Sequence, residues 1–104
     1  MSTADRAFIH ELKQAEPFTG VRAEAASGRS YKFQIVGRGE TAFVQLGDKG
    51  LLFESLVGQG VVFAATIRRW DDRSPVTDDE RDDIVQIASS YLADKGATEV
   101  DVVR

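Results

Sequence analysis

The stretch 68–83, RRWDDRSPVTDDERDD, concentrates the residue types with the most chemical potential in the chain. Within it, residues 71–83 carry seven acidic residues against two arginines, a local net charge of −5 in a chain whose total is −4. Clustered carboxylates are the ligands that hard cations prefer, and a strongly charged patch steers an oppositely charged partner. The stretch therefore has three interpretations: a metal site, a partner-binding surface, or the beginning of a helix.

Helix physics accounts for most of these acids. Thr77 stands three residues before Glu80, the spacing of a capping box, and acids in a first turn favour the positive end of the helix dipole. Asp78 and Asp82 share a helix face, but no EF-hand spacing and no second acidic motif completes a cation site. We therefore predict no metal and no cofactor. A small metal-dependent enzyme that uses the 71–83 acids stays as an alternative.

Trp70 is the third residue of this stretch and has two interpretations. A lone tryptophan before a polar loop packs its ring over the edge of the core and points its N–H at a partner, or it anchors a protein interface together with neighbouring arginines. The partner-binding surface that we predict takes in these residues and the nearby acids: Arg68, Arg69, Trp70, Asp71, Asp72, Asp78, Asp79 and Asp82.

No residue pattern selects a catalytic site. The chain has no cysteine and a single histidine, His10, on the polar side of an expected helix, and its serines have no triad context. VGRGETA (36–42) matches the dinucleotide fingerprint in its letters, but TAFVQLGDKG follows it and alternates like a strand where that motif needs a helix. We interpret 36–42 as a hairpin turn, predict no catalytic residue, and expect that the protein is not an enzyme.

The elements that position the acidic stretch follow from periodicity. Residues 3–15 predict a short helix that Pro17 ends. From 18 to 67 the period changes to two, with Gly-containing turns between short segments, which indicates an antiparallel meander of about five strands: FTGVRAEA, YKFQIV, TAFVQL, GLLFESL and GVVFAATI.

The second half completes an α+β fold class. Ile84, Ile87, Ala88, Tyr91 and Leu92 form an apolar stripe, so a long amphipathic helix is predicted at about 77–95, with Gly96 as its stop. ATEVDVV then alternates as a C-terminal strand that pairs with any one of the others. We predict one domain, 1–104, in which both helices pack on a largely antiparallel sheet.

Composition limits the classes of partner. The longest apolar runs, such as VVFAATI, are strand-sized, and the N-terminal residues carry charges throughout, so neither a membrane span nor a signal peptide is predicted. The acidic balance argues against nucleic acid, since phosphate neutralisation needs a basic surface. We expect a cytoplasmic protein whose partner is another protein.

Residues 61–103 resemble one known family. A strand before Trp70, a turn with Pro75, the capped TDDER, and Ile84, Leu92, Gly96 and the terminal valines are similar to the C-terminal half of bacterial immunity proteins of polymorphic toxin systems. The resemblance implies a stoichiometric binder that blocks a cognate toxin without catalysis. Many such toxins are basic nucleases, which would suit the acidic stretch.

Two alternatives remain beside a binding or immunity function. Residues 51–57 and 61–67 are apolar on both faces of their predicted strands, which suits a self-associating domain that forms a homodimer. The second alternative is the metal-dependent enzyme described above.

Overall fold

A computed structural model describes residues 3–104. Its helices and strands follow the predicted order of one helix, five strands, a second helix and a last strand: α1 (Thr3–Lys13), β1 (Val21–Glu24), β2 (Ser30–Val36), β3 (Thr41–Leu46), β4 (Lys49–Leu56), β5 (Val61–Phe63), α2 (Asp78–Asp94) and β6 (Asp101–Val103). The predicted α+β class, with a largely antiparallel meander and two helices, is confirmed.

The six strands form one sheet in chain order. Each neighbouring pair from β1 to β5 is antiparallel, whereas β6 lies parallel to β5, with Val62 opposite Val102. Parallel neighbours need a long crossover, and α2 supplies it. The place of the last strand, which the sequence left open, is therefore the edge beside β5.

Three strands are shorter than predicted. The first was expected over 18–25 but spans Val21–Glu24. The fifth was expected to continue through 67 but ends at Phe63, where Ala64–Thr66 form a 3₁₀ turn. The Thr66 hydroxyl donates to the Phe63 carbonyl (2.7 Å) and accepts from the Glu54 amide (2.9 Å), so a side chain replaces the strand ladder there.

The final strand was expected from 97 but begins at Asp101. Gly96 has a φ of 102°, and the Ala97 amide donates back to the Leu92 carbonyl at 3.1 Å. Residues 96 and 97 therefore close the end of α2 and are not free to join the sheet.

The main core lies between α2 and one face of the sheet. The predicted stripe on α2 is buried at Ile84, Ile87, Ala88 and Leu92, and Tyr91 is half-buried. The Phe33 ring of β2 lies 5.2 Å from the Tyr91 ring, which is a favourable tilted contact. Burial of this stripe is what stabilises α2, because propensity alone rarely holds a helix in water.

The shorter helix α1 covers part of the opposite face. Ile9 is fully buried against a second cluster that contains Phe43, with Leu12 and Leu52 packed beside it. The approach needs Gly50, where an added Cβ would lie 3.0 Å from both Ile9 and Phe43. The chain itself thus covers the second apolar face of β4 at Leu52.

Candidate functional site

The loop before α2 is a small hydrogen-bonded hairpin. Arg69 and Pro75 form an isolated antiparallel bridge, the Trp70 amide donates to the Ser74 carbonyl, and the Val76 amide donates to the Arg68 carbonyl, both at 2.9 Å. The sequence predicted only a polar loop after Trp70. These backbone hydrogen bonds give residues 68–76 a defined shape.

The hairpin turns at Arg73. This residue has a φ of 73°, in the left-handed region that few non-glycine residues adopt. Its amide donates to the Trp70 carbonyl at 2.9 Å, and the Asp72 carboxylate accepts from the amide and the hydroxyl of Ser74. These bonds to Ser74 hold the pKa of Asp72 below its usual range.

Trp70 anchors the hairpin from inside. It is 1% exposed, and its indole N–H donates to Glu80 Oε1 at 3.3 Å. Lys49 lies over the same ring, with its Nζ 5.1 Å from the centroid. Trp70 therefore occupies the position of the core-edge interpretation, and its side chain offers almost no surface to a partner.

Asp71 also points inward. Its carboxylate pairs with Lys13 of α1 and accepts the Gly50 amide at 3.1 Å. The acid that was considered as a metal ligand thus ties α1 and β4 to the hairpin.

The capping box that opens α2 is confirmed. The Glu80 amide donates to Thr77 Oγ1 at 3.1 Å, and the Thr77 amide donates to Glu80 Oε1 at 2.9 Å. Burial alone would raise the pKa of Glu80, but hydrogen bonds from Thr77 and Trp70 and the charge of Lys49 together hold that pKa below its usual range. Glu80 is therefore ionised, and its carboxylate accepts hydrogen bonds from both the Thr77 amide and the Trp70 indole.

The remaining predicted residues lie on the surface. The acids Asp72, Asp78, Asp79 and Asp82 and the cations Arg68 and Arg69 are all exposed. Asp78 pairs with Arg81 at 2.9 Å, an exposed pair of the kind that contributes little to stability. The predicted stretch thus divides into an outer charged surface and an inner set of anchors.

Sequence reasoning missed a polar cluster around Asp83. This carboxylate is 5% exposed, and its Oδ2 accepts from Ser27 Oγ (2.9 Å), Arg29 Nε (2.7 Å) and the Tyr31 hydroxyl (2.7 Å). Burial alone would raise the pKa of Asp83, but these three donors hold it below its usual range. The cluster joins α2 to the β1–β2 hairpin.

The same cluster shifts the pKa of Tyr31 in the opposite direction. Burial, followed by its hydrogen bond to the Asp83 carboxylate, raises the pKa of the Tyr31 hydroxyl far above the usual tyrosine value. Tyr31 is therefore a neutral donor to an ionised acceptor, which is a structural arrangement and not that of an activated phenolate.

Two classes of site find no support in the described part of the chain. Within residues 3–104, no three His, Cys, Asp or Glu side chains are placed to hold a metal ion together. Neither of the helices described there combines the length and apolar character needed to cross a bilayer.

The outer charged surface, together with the inner residues that anchor it, is thus the candidate functional site. The chain gives no significant match to any protein family, curated protein or solved structure.

Proposed function

We propose that this chain is a small non-catalytic protein-binding module, and that its role is that of an immunity protein which binds and blocks a cognate toxin. The binding surface comprises the outer residues of the hairpin and of the first turns of α2: Arg68, Arg69, Asp72, Asp78, Asp79 and Asp82. The resemblance of residues 61–103 to toxin immunity proteins motivates the more specific role.

The observation that supports binding is the set of hydrogen bonds that anchors this charged surface. Trp70, Asp71 and Glu80 are held by hydrogen bonds to α1, β4 and the helix cap, so the outer side chains project from a fixed backbone. A preorganised surface loses less conformational entropy on association than a mobile loop does. Complementary charges then raise the association rate and exclude wrong partners.

Charge reversal tests the surface without disturbing the anchors. The double variant Asp79→Lys, Asp82→Lys changes two exposed acids whose side chains form no ion pair within residues 3–104. We expect affinity for the partner to fall about tenfold or more at low salt, since steering by exposed charges is strongest there. The matched control is Glu40→Lys, Glu99→Lys, which makes the same change of net charge outside this surface.

The partner to assay is a toxin domain encoded beside the gene of this chain. The experiment measures growth rescue on co-expression and the dissociation constant by calorimetry, and we expect a sub-micromolar one-to-one complex. Equal loss of affinity in both double variants would contradict a role for this surface, and a locus without a toxin gene would contradict the immunity role.

Trp70→Ala is not an informative binding variant. Removal of a buried tryptophan costs about 3–5 kcal/mol in stability, so a loss of binding would follow from unfolding. Light scattering of the unmodified chain accompanies the assay, because a dimer at tens of micromolar would favour the self-associating alternative.

A further inference from the structure

Three arginines surround one depression beside the hairpin. The depression has a volume of about 410 Å³ and is lined by Arg6 of α1 and by Arg69, Trp70 and Arg73 of the hairpin. Within residues 3–104, no acidic residue lines it. Three cations thus converge on one concave site of a chain whose net charge is −4.

Within the described residues, none of the three guanidinium groups forms an ion pair with a carboxylate. The ion pairs within residues 3–104 use Lys13, Arg29, Lys49 and Arg81 as their cations. The acids that follow Trp70 are engaged elsewhere, Asp71 with Lys13 and Asp72 with Ser74. Within residues 3–104, no ion pair therefore joins the arginines of the depression to the acidic stretch next to it.

Arg6 also has an unsatisfied donor. Its Nε is buried and has no hydrogen-bond partner within residues 3–104. Buried N–H groups are nearly always paired, because an unpaired one has lost its water without a replacement. This donor is therefore available, at the wall of a cationic depression, to an acceptor from solution such as water or an oxyanion.

The hairpin fixes the other two arginines relative to each other. Arg69 Nη1 donates to the Arg73 carbonyl at 3.1 Å, and Arg73 keeps its left-handed φ of 73°. Backbone strain of this kind persists where surrounding contacts hold it, and it is concentrated at binding sites. Both side chains are exposed at the rim of the depression.

We propose that this depression binds a multiply charged oxyanion, either inorganic phosphate or a small phosphate monoester. Guanidinium groups match the oxygens of phosphate in geometry and form charge-assisted hydrogen bonds with them. A singly charged carboxylate would leave two of the three cations unmatched, whereas a phosphate dianion matches most of the charge. This site does not depend on the protein-binding function proposed above.

The experiment uses the chain's single tryptophan as its reporter, since Trp70 lines the depression. The full chain is titrated with inorganic phosphate and with glycerol phosphate, while sodium chloride at matched ionic strength and free glycerol are the controls. We expect a saturable fluorescence change and a rise in the melting temperature with phosphate, because a ligand that binds only the native state stabilises it. Tighter binding of the ester than of inorganic phosphate would identify an organic ligand, and equal binding would identify free phosphate.

Two variants test the arginines. Arg6→Gln and Arg73→Gly should each weaken phosphate binding by about fivefold or more, as expected for the loss of one charge-assisted contact. Glycine suits the left-handed φ at 73, so the second variant keeps the hairpin. Arg38→Gln, on the exposed turn after β2, is the matched control and should bind as the unmodified chain does.

Three results would overturn the site. The first is a response that chloride reproduces at the same ionic strength. The second is no saturable response to either phosphate compound, and the third is equal affinity in the Arg6, Arg73 and Arg38 variants. Thermal melts of each variant without ligand confirm that the compared proteins are folded.

Discussion

Replacement of Tyr31 by phenylalanine tests the polar cluster that joins α2 to the β1–β2 hairpin. The Tyr31 ring is 2% exposed and its hydroxyl lies 2.7 Å from Asp83 Oδ2, so the change removes one buried donor to an ionised acceptor. A hydrogen bond to a charged group contributes about 1.5–3 kcal/mol. Phenylalanine keeps the ring contacts, and we expect the variant to lose stability within that range.

Tyr91→Phe is the matched control. The half-buried Tyr91 ring lies 5.2 Å from Phe33, but its hydroxyl makes no hydrogen bond with residues 3–104. Loss of the Tyr91 hydroxyl should change the free energy of unfolding by less than about 0.5 kcal/mol. Urea unfolding, followed by Trp70 fluorescence and by circular dichroism, measures both variants, and equal costs for Tyr31→Phe and Tyr91→Phe would refute the role of the Asp83 bond.

The pH dependence gives an independent test of the same bond. The folded pKa of Asp83 is lowered, so its contribution is present above the unfolded value of about 3.9 and is lost as pH falls through the folded pKa. The folded pKa of Tyr31 is raised, so its contribution is present below about 10 and is lost as pH rises above that value. The stability difference between Tyr31→Phe and the unmodified chain should therefore shrink in acid, and a difference that stays constant down to pH 2 would refute the reasoning.

Four further variants test the backbone and the helix cap. Gly60 has a φ of 66°, and an added Cβ would lie 2.7 Å from the Glu99 carbonyl, so Gly60→Ala should cost about 2 kcal/mol or more in urea unfolding. Gly58→Ala has open space and should cost under about 1 kcal/mol, so equal costs would contradict the steric reason. Thr77→Ala should lower stability by about 1 kcal/mol in thermal melts through loss of the cap, and an unchanged melt would contradict this. Arg73→Gly should raise stability by roughly 0.5 kcal/mol, since relief of the left-handed strain exceeds the added chain entropy, and a loss would contradict it.

The parts of the fold that were predictable depend on neighbours in sequence. The α2 cap needs only Thr77 and Glu80, three residues apart, and the α2 stripe repeats within two turns of one helix. The hairpins between β1 and β5 join strands that follow each other directly. Local patterns carry this information, and the predicted order of elements was therefore correct.

The parts that were not predictable depend on distant residues. Asp83 meets Ser27, Arg29 and Tyr31 across 52 to 56 positions of sequence, and no periodicity marks such a contact. The early end of β5 depends on Thr66, whose hydroxyl replaces backbone partners only once β4 lies beside it. Side-chain bonds to backbone compete with strand pairing in a way that alternation of apolar residues does not reveal.

The orientation of the acids changes what the charge of residues 71–83 means for recognition. Asp71, Glu80 and Asp83 are turned inward and paired with Lys13, Lys49 and Arg29, so a local net charge of −5 overstates the negative surface.

The outward residues form two neighbouring patches of opposite sign. Asp78, Asp79 and Asp82 stand at the start of α2, whereas the hairpin carries three exposed arginines and one exposed acid: Arg68, Arg69, Arg73 and Asp72. If this surface binds a partner as proposed, a uniformly basic partner would contact the arginines as well as the acids, and the arginines would repel it. The partner that fits this surface therefore carries a basic patch beside an acidic one, in a spacing that matches the hairpin and the first turn of the helix.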